Sequence, residues 1–423
     1  MSIKHVIIGA GPAGVIAAET IRKLDREADI RVLGEEPEPP YSRMALPYLL
    51  KGRIDESGTW LRKNEAYYDT LRIEIFRDRV TVIDTEKGSV RVENGNNFNF
   101  DQLLIATGSS PVTPPIPGID QTGVYCCWTL ADARNILARA KPGSEIVLIG
   151  AGFIGCILLE ALASHNVKVS VVEMADRMVP RMMDLTAGRL IKQWCENRGV
   201  TVYTSAKVTS LEKTENGMVV NLDNKAALHA DLVITATGVK PNMDFLDTGT
   251  VDMDTGILVN ENLQTSRKNI YAAGDVCQGR DFSTGGFSVQ AIQPTAADHG
   301  RIAAMNMCGR MIKHEGCINM NILDTMGLIS TSFGMWMGAE GGESVTLKDD
   351  GRFRYLRLSF ADDILIGAQT LGLTEHIGII RGLIQARIKL GKWKARLMND
   401  PTHIMEAWLG CTQPVGHNAG IIR

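Results

Sequence analysis

Two stretches of the chain, HVIIGAGPAG and IVLIGAGFIG, each run an apolar strand-like segment into a G-x-G-x-x-G loop: Gly9, Gly11 and Gly14, then Gly150, Gly152 and Gly155. In such a loop the first glycine makes the tight turn and the second lets the backbone approach a pyrophosphate. The third, preceded here by Ala13 and Ile154, lets the following helix pack closely on the sheet. Free N–H groups and the dipole at the helix start then favour negative phosphates. A lone loop of this kind is weak, because glycine turns also close ordinary strand–helix units. Two in register, each followed by an acid about 20 residues past its third glycine, are strong. Those acids are Glu35, after IRVLG, and Glu173, ending VKVSVVE, each able to accept hydrogen bonds from an adenosine ribose; Glu36 competes with Glu35 for the role. A carboxylate at Glu173 would repel a 2′-phosphate, and the next basic residue is Arg177, so NADH is favoured over NADPH. Two nucleotide sites on one chain point to a stationary flavin and a visiting nicotinamide, together a relay for hydride.

The elements that must hold these loops are strand-like runs alternating with helix-length segments, the mark of an α/β chain with parallel sheets covered by helices. LLIATGSSP (Thr107, Gly108) and LVITATGVKPN (Thr237, Gly238) end strands in A-T-G turns, and NIYAAGDV places Gly274 and Asp275 after another strand. A proline-rich stretch, Pro111 to Pro117, ends at Gly118 and reads as a crossing between domains. Weaker seams fall near Gly238–Asn242 and near Gly309. The expected organisation is two Rossmann-like dinucleotide-binding domains and a C-terminal α+β domain. Residues 1–112 and 245–311 would form the domain of the first glycine loop, 113–244 that of the second and 312–423 an interface domain. The 423 residues carry 45 basic and 48 acidic side chains, a net charge of -3, so there is no global basic field for nucleic acid. No apolar run of about 18 residues marks a membrane span, and the first strand begins too early for a leader. A cytoplasmic protein is expected.

With these motifs in place, the sequence resembles the FAD-dependent pyridine nucleotide-disulfide oxidoreductase superfamily from residue 2 to about 310. The resemblance implies that Gly9, Gly11, Gly14 and Arg43 hold the pyrophosphate of FAD, Glu35 its ribose, Val80 and Thr107 the adenine side, and Asp275 the ribityl hydroxyls. Ala13, Gly108 and Gly274 belong to the same loops. A helix beginning near Ile292 would aim its N-terminus at the flavin pyrimidine ring. Gly150, Gly152, Phe153, Ile154, Gly155, Glu173 and Gly238 would take NADH. Disulfide-reducing members carry a C-x-x-x-x-C pair on the first domain, and single-cysteine oxidases carry one cysteine in a segment similar to PPYSRMALPYLL, where this chain has Met44. A thioether forms neither a charge-transfer thiolate nor a mixed disulfide. The resemblance is therefore to the branch serving separate carriers, similar to rubredoxin and ferredoxin reductases and to the flavin portion of NADH-dependent nitrite reductase.

The chain departs from relatives at three places: Ile157 replaces a glutamate that touches the nicotinamide amide, Tyr48 stands where the ferredoxin reductase branch has a lysine near the flavin, and Phe153 replaces a tyrosine that covers the flavin. The eight cysteines are scattered with no C-x-x-C, and the eight histidines form no H-x-x-x-H pair or cysteine–histidine cluster, so no metal is expected. Vicinal Cys126 and Cys127 and helix-opening Cys156 read as structural thiols. From His376 to Met398 a helical stretch carries Arg381, Arg387, Lys389, Lys392, Lys394 and Arg396 with no acid. Its readings are a solvated basic face, a docking surface for an acidic electron carrier or partner subunit, and membrane-surface binding, against which Gly382 and Gly391 count by interrupting the stripe. The expected function is an NADH-dependent flavoprotein passing electrons to such a carrier, as a homo-oligomer or within a complex. An oxygen-reducing NADH oxidase and a non-catalytic flavin-binding subunit are the alternatives.

Overall fold

The computed structural model describes residues 2–64 and 66–413. The first glycine loop follows the middle strand of a five-stranded parallel sheet, whose spatial order is Ile270–Ala272, Gln102–Ile105, Lys4–Ile8, Asp29–Gly34 and Ile73–Arg77. A strand covered on both faces must be apolar throughout; Val6, Ile7 and Ile8 are buried accordingly. The chain builds outward from Lys4–Ile8 on one side and later returns on the other. The sheet therefore reverses direction between Lys4–Ile8 and Gln102–Ile105, the point at which such sheets open a crevice at their carboxyl ends.

The second loop repeats this arrangement. Its sheet runs Thr201–Thr204, Lys168–Glu173, Glu145–Ile149, Leu232–Thr235 and Val124–Cys126, all parallel, with the reversal between Glu145–Ile149 and Leu232–Thr235. Two crossings join the lobes, and they lie side by side: Ser109–Pro111 pairs antiparallel with Val239–Pro241. Proline is tolerated in both because a two-stranded ribbon is all edge.

The last unit is a five-stranded antiparallel sheet in the order Met320–Thr325, Leu328–Gly334, Ile364–Leu371, Arg354–Ala361 and Glu343–Asp349. Helices Ile377–Gln385, Lys392–Asn399 and Ile404–Thr412 close over it around Phe333, Leu358, Phe360 and Leu383. The basic stretch is thus two helices rather than one. Arg387 and Gly391 both adopt positive φ between them, which the α-helix does not accommodate.

The helix after the first loop, Pro12–Leu24, starts with proline at its first position, where no N–H is needed. It packs against the helix Gln293–Met307, and at their closest approach a Cβ on Gly300 would lie 2.2 Å from the carbonyl oxygen of Ala13. No helix among the described residues is long and apolar enough to cross a membrane.

Candidate functional site

At the reversal of the first sheet, Gly9 has φ of +114°, and a Cβ there would strike the Ala106 carbonyl oxygen at 2.1 Å. Gly14 is equally constrained, since its Cβ would lie 1.9 Å from the Gly9 oxygen. Only glycine lets strand, loop and helix meet so closely. Gly11 differs: its missing Cβ would meet nothing within 4 Å, which leaves open space in front of the backbone amides. That space belongs to a cleft of about 710 Å3. Of the residues expected around a flavin dinucleotide, Gly9, Gly11, Ala13, Glu35, Arg43, Val80, Thr107, Gly108, Gly274, Asp275 and Ile292 line it, while Gly14 lies behind the loop.

The polar groups of this cleft hold one another in place. Ser109 Oγ donates to the Asp275 carboxylate at 2.8 Å, and Trp128 Nε1 donates to the Ser109 carbonyl at 3.0 Å. Burial pushes the Asp275 carboxyl above its ordinary pKa, with the Ser109 hydrogen bond and the Arg43 charge pulling the other way. Arg43 donates to Glu36 at 2.7 Å and to the Trp128 carbonyl at 2.6 Å. Tyr41 occupies the other oxygen of Glu36 at 2.6 Å. Glu36 is therefore engaged at the protein's own hydrogen bonds, whereas Glu35 is exposed and, among the described residues, has Arg79 as its ion-pair partner at 3.7 Å.

The second loop opens onto the same cleft. Phe153, Ile154 and Ile157 line it opposite the first loop, whereas Gly150, Gly152, Gly155, Glu173 and Gly238 surround the reversal of the second sheet. Gly150 has φ of +102°, and a Cβ on Gly152 would meet nothing within 4 Å, the counterpart of Gly11. The Glu173 carboxylate accepts hydrogen bonds from Ala151 N at 2.7 Å and Ala175 N at 2.8 Å, so it braces the second loop as well as facing its mouth.

Sulfur near the cleft is inert. Met44 lines it, and so does Cys127, whose thiol burial pushes up to about 12. Cys126 is raised to about 11, and Cys156, wholly buried, is raised well above the ordinary thiol value. All eight cysteines are free.

Two expectations need correction. Tyr48 does not line the cleft; it is half exposed on the short helix Leu46–Leu50, whose Leu46 and Pro47 line the cleft instead. Its neighbour Lys51 pairs with Glu160, so the acid three residues beyond Ile157 points at the first lobe and away from the cleft. A cysteine–histidine cluster also exists: His299, His314 and Cys317 bring one ligand atom each within 4.8 Å of one another. Burial pushes His299 down to about 3 and also lowers His314. Residues of the cleft without a sequence signal of their own are Ser109, Trp128, Asn242 and Gln293. Asn242 follows the second A-T-G turn and exchanges hydrogen bonds of 2.9 Å with Thr107, tying the two turns together.

The model of the pyridine nucleotide-disulphide oxidoreductase family matches residues 3–300. The chain is 32% identical, over 94% of its length and 95% of the relative's, to the NADH-dependent phenylglyoxylate dehydrogenase subunit epsilon of Aromatoleum evansii. It is 33% identical, over 75% of its length and 72% of the relative's, to an NADH oxidase of Methanocaldococcus jannaschii. A covalent putidaredoxin reductase–putidaredoxin complex matches in fold, with TM-score 0.90 and 22% identity over 97% of this chain and 99% of that one. Two dinucleotide loops facing one cleft, with the family match across both of them, place the chain in the pyridine nucleotide-disulphide oxidoreductase family.

Proposed function

We propose that the chain takes hydride from NADH and exchanges the electrons with a protein carrier or partner subunit, with FAD bound in the first lobe. The observation that carries this reading is the single cleft lined by Gly11 and Asp275 from one side and by Phe153 and Ile157 from the other. Bound FAD supplies the hydride-accepting and electron-relaying chemistry. The chain's own part is binding and position. Residues 1–112 with 245–311 are proposed as the FAD domain, 113–244 as the NADH domain and 312–423 as the interface domain. Gly9 makes the turn and Gly11 leaves room for the pyrophosphate, Arg43 balances its charge, and Asp275 accepts from hydroxyls of the chain that follows it. The helix Gln293–Met307 presents its unpaired N–H groups at the far end of the cleft. On the other side, Glu173 would receive the adenosine ribose of NADH, and Phe153 covers the face on which nicotinamide would stack.

The relative named as a subunit of an NADH-dependent dehydrogenase supports a place in a larger complex. The absence of an ionised thiol in the cleft supports transfer outward rather than disulfide reduction. Among the described residues Lys394 alone of the basic stretch has an acidic partner, Glu343, which leaves Arg381, Lys389 and Lys392 to face an acidic surface on that partner. The second reading, direct reduction of oxygen, is favoured by the likeness to an NADH oxidase. An anaerobic titration of the flavin-loaded protein with NADH, then NADPH, tests the proposal. Bleaching by NADH that persists until a protein acceptor is added supports it. Fast turnover with NADH and oxygen alone favours the oxidase, and no bleaching at all defeats both.

A further inference from the structure

Three ligand-bearing side chains outside the cleft come from three differently anchored pieces of backbone. His299 lies in the second turn of the helix Gln293–Met307. His314 and Cys317 lie in the segment leading into the antiparallel domain, where the His314 amide donates to the Glu261 carbonyl at 2.6 Å. Cys317 is held hardest. Its amide donates to the Arg280 carbonyl at 3.1 Å, its carbonyl accepts from Phe282 N at 2.9 Å, and Gln290 Nε2 donates to the same carbonyl at 3.0 Å. The backbone thus fixes the thiol against the helix before any ligand arrives.

The contacts converge on the sulfur. Cys317 Sγ lies 3.4 Å from His299 Nε2 and 3.5 Å from His314 Nε2, and the two rings meet edge to face with centroids 4.7 Å apart. A thiol has one proton and can donate it to only one of two imidazoles; the other contact must use sulfur as an acceptor, which is weak. His299 Nδ1 is buried without a partner among the described residues. As a hydrogen-bonded cluster the trio is poorly satisfied. As a ligand set the sulfur is well placed: with metal–sulfur and metal–nitrogen bonds of zinc length, a tetrahedral edge from sulfur to nitrogen measures roughly 3.5 Å, while the three ligand atoms lie within 4.8 Å of one another, so the two imidazoles would draw together as an ion binds.

We infer that His299, His314 and Cys317 form a site for one thiophilic divalent transition-metal ion, of which zinc is the type. Two imidazole nitrogens and one thiolate would give three protein ligands and leave a fourth position open. On binding, the sulfur–metal bond forms as Cys317 loses its proton to solvent, the imidazoles give lone pairs, and no group changes oxidation state. Such an ion would fasten the start of the antiparallel domain to the helix whose first residues line the cleft.

The test uses the flavin-loaded full chain, stripped with a chelator, incubated with zinc and desalted, with metal counted against protein. About one zinc per chain is expected, with affinity at least roughly tenfold weaker in Cys317→Ser and His314→Gln. Cobalt in place of zinc should add tetrahedral d–d bands to the red of the flavin and a sulfur-to-cobalt charge-transfer band. Loss of all retained zinc from the native chain overturns the inference, as does unchanged zinc affinity in both variants. If a variant fails to fold, cobalt on the native chain decides: a sulfur-to-cobalt band supports the site, and its absence overturns it.

Discussion

Replacing Gly300 by alanine places a methyl group where two cleft-forming helices touch. The added carbon would lie 2.2 Å from the Ala13 carbonyl oxygen, 2.9 Å from its carbon and 3.0 Å from Ala13 Cα. Carbon contacts relax near about 3.5 Å, so the helices Pro12–Leu24 and Gln293–Met307 must part by more than about 1 Å at this point. Neither partner is a flexible side-chain end; both are helix backbone. Overpacking of this kind costs about 1–3 kcal/mol, and in a lobe of this size each kcal/mol lowers Tm by about 2–4 °C. A fall of roughly 2–12 °C in the flavin-free chain is expected. The functional consequence is sharper, because Ala13 belongs to the first glycine loop and Ile292 and Gln293 begin the other helix, all of them lining the cleft. Spreading the helices moves the two sets of backbone N–H groups apart, so flavin affinity should fall at least tenfold. The assay is the ratio of flavin to protein absorbance after purification, with thermal melts of the stripped chains. Gly378→Ala, whose added carbon meets nothing within 4 Å, is the control. A Gly300→Ala protein that keeps its full flavin and melts within about 1 °C of the native chain would show that this contact does not set the cleft.

Asp275→Asn separates binding from stability. Burial raises the folded-state pKa of Asp275 above its ordinary 3.8, so the folded chain binds the proton more tightly than the unfolded chain. Its stability therefore declines as pH rises from the unfolded value through the folded one, and the full penalty applies above both. The flavin-free asparagine variant should be more stable than native at neutral pH and should lack that decline, while flavin retention drops about tenfold or more as a charge-assisted hydrogen bond is lost; equal stability profiles would contradict the burial argument. Glu173→Gln keeps an oxygen for the second loop but removes the charge. The preference for NADH over NADPH in anaerobic titrations should then fall about tenfold, and an unchanged ratio would move the ribose contact elsewhere. With Cys126 near 11 and Cys127 near 12, alkylation of the folded chain at about pH 8 should run two to three orders of magnitude slower than for a free thiol, roughly. Rapid labelling of Cys127 by mass spectrometry would count against a cleft without an ionised thiol.

The glycine loops were legible because their chemistry is local: turn, approach and packing are each demanded within six residues, and the demand leaves no other residue type possible at Gly9 or Gly14. Glu35 against Glu36 was not legible, since both follow the same strand. The choice depends on Tyr41 and Arg43, which reach back to Glu36 from a separate segment. Tyr48 was misplaced because a helix of five residues, Leu46–Leu50, turns its neighbours inward and leaves the ring outside. His299 joins His314 and Cys317 across the chain only after a helix and a loop have folded together, so spacing alone shows no more than an H-x-x-C pair. Ser109 and Gln293 belong to the same class, common residues whose use is decided by tertiary neighbours.

The paired crossings Ser109–Pro111 and Val239–Pro241 place Pro111 and Val239 directly opposite each other. Entry to and exit from the second lobe are thus one ladder rung apart, about 5 Å. A chain with that geometry is a host carrying a guest cassette: the guest can be excised and the gap closed by a residue or two, or exchanged for another nucleotide module, without altering the strand order of the host sheet.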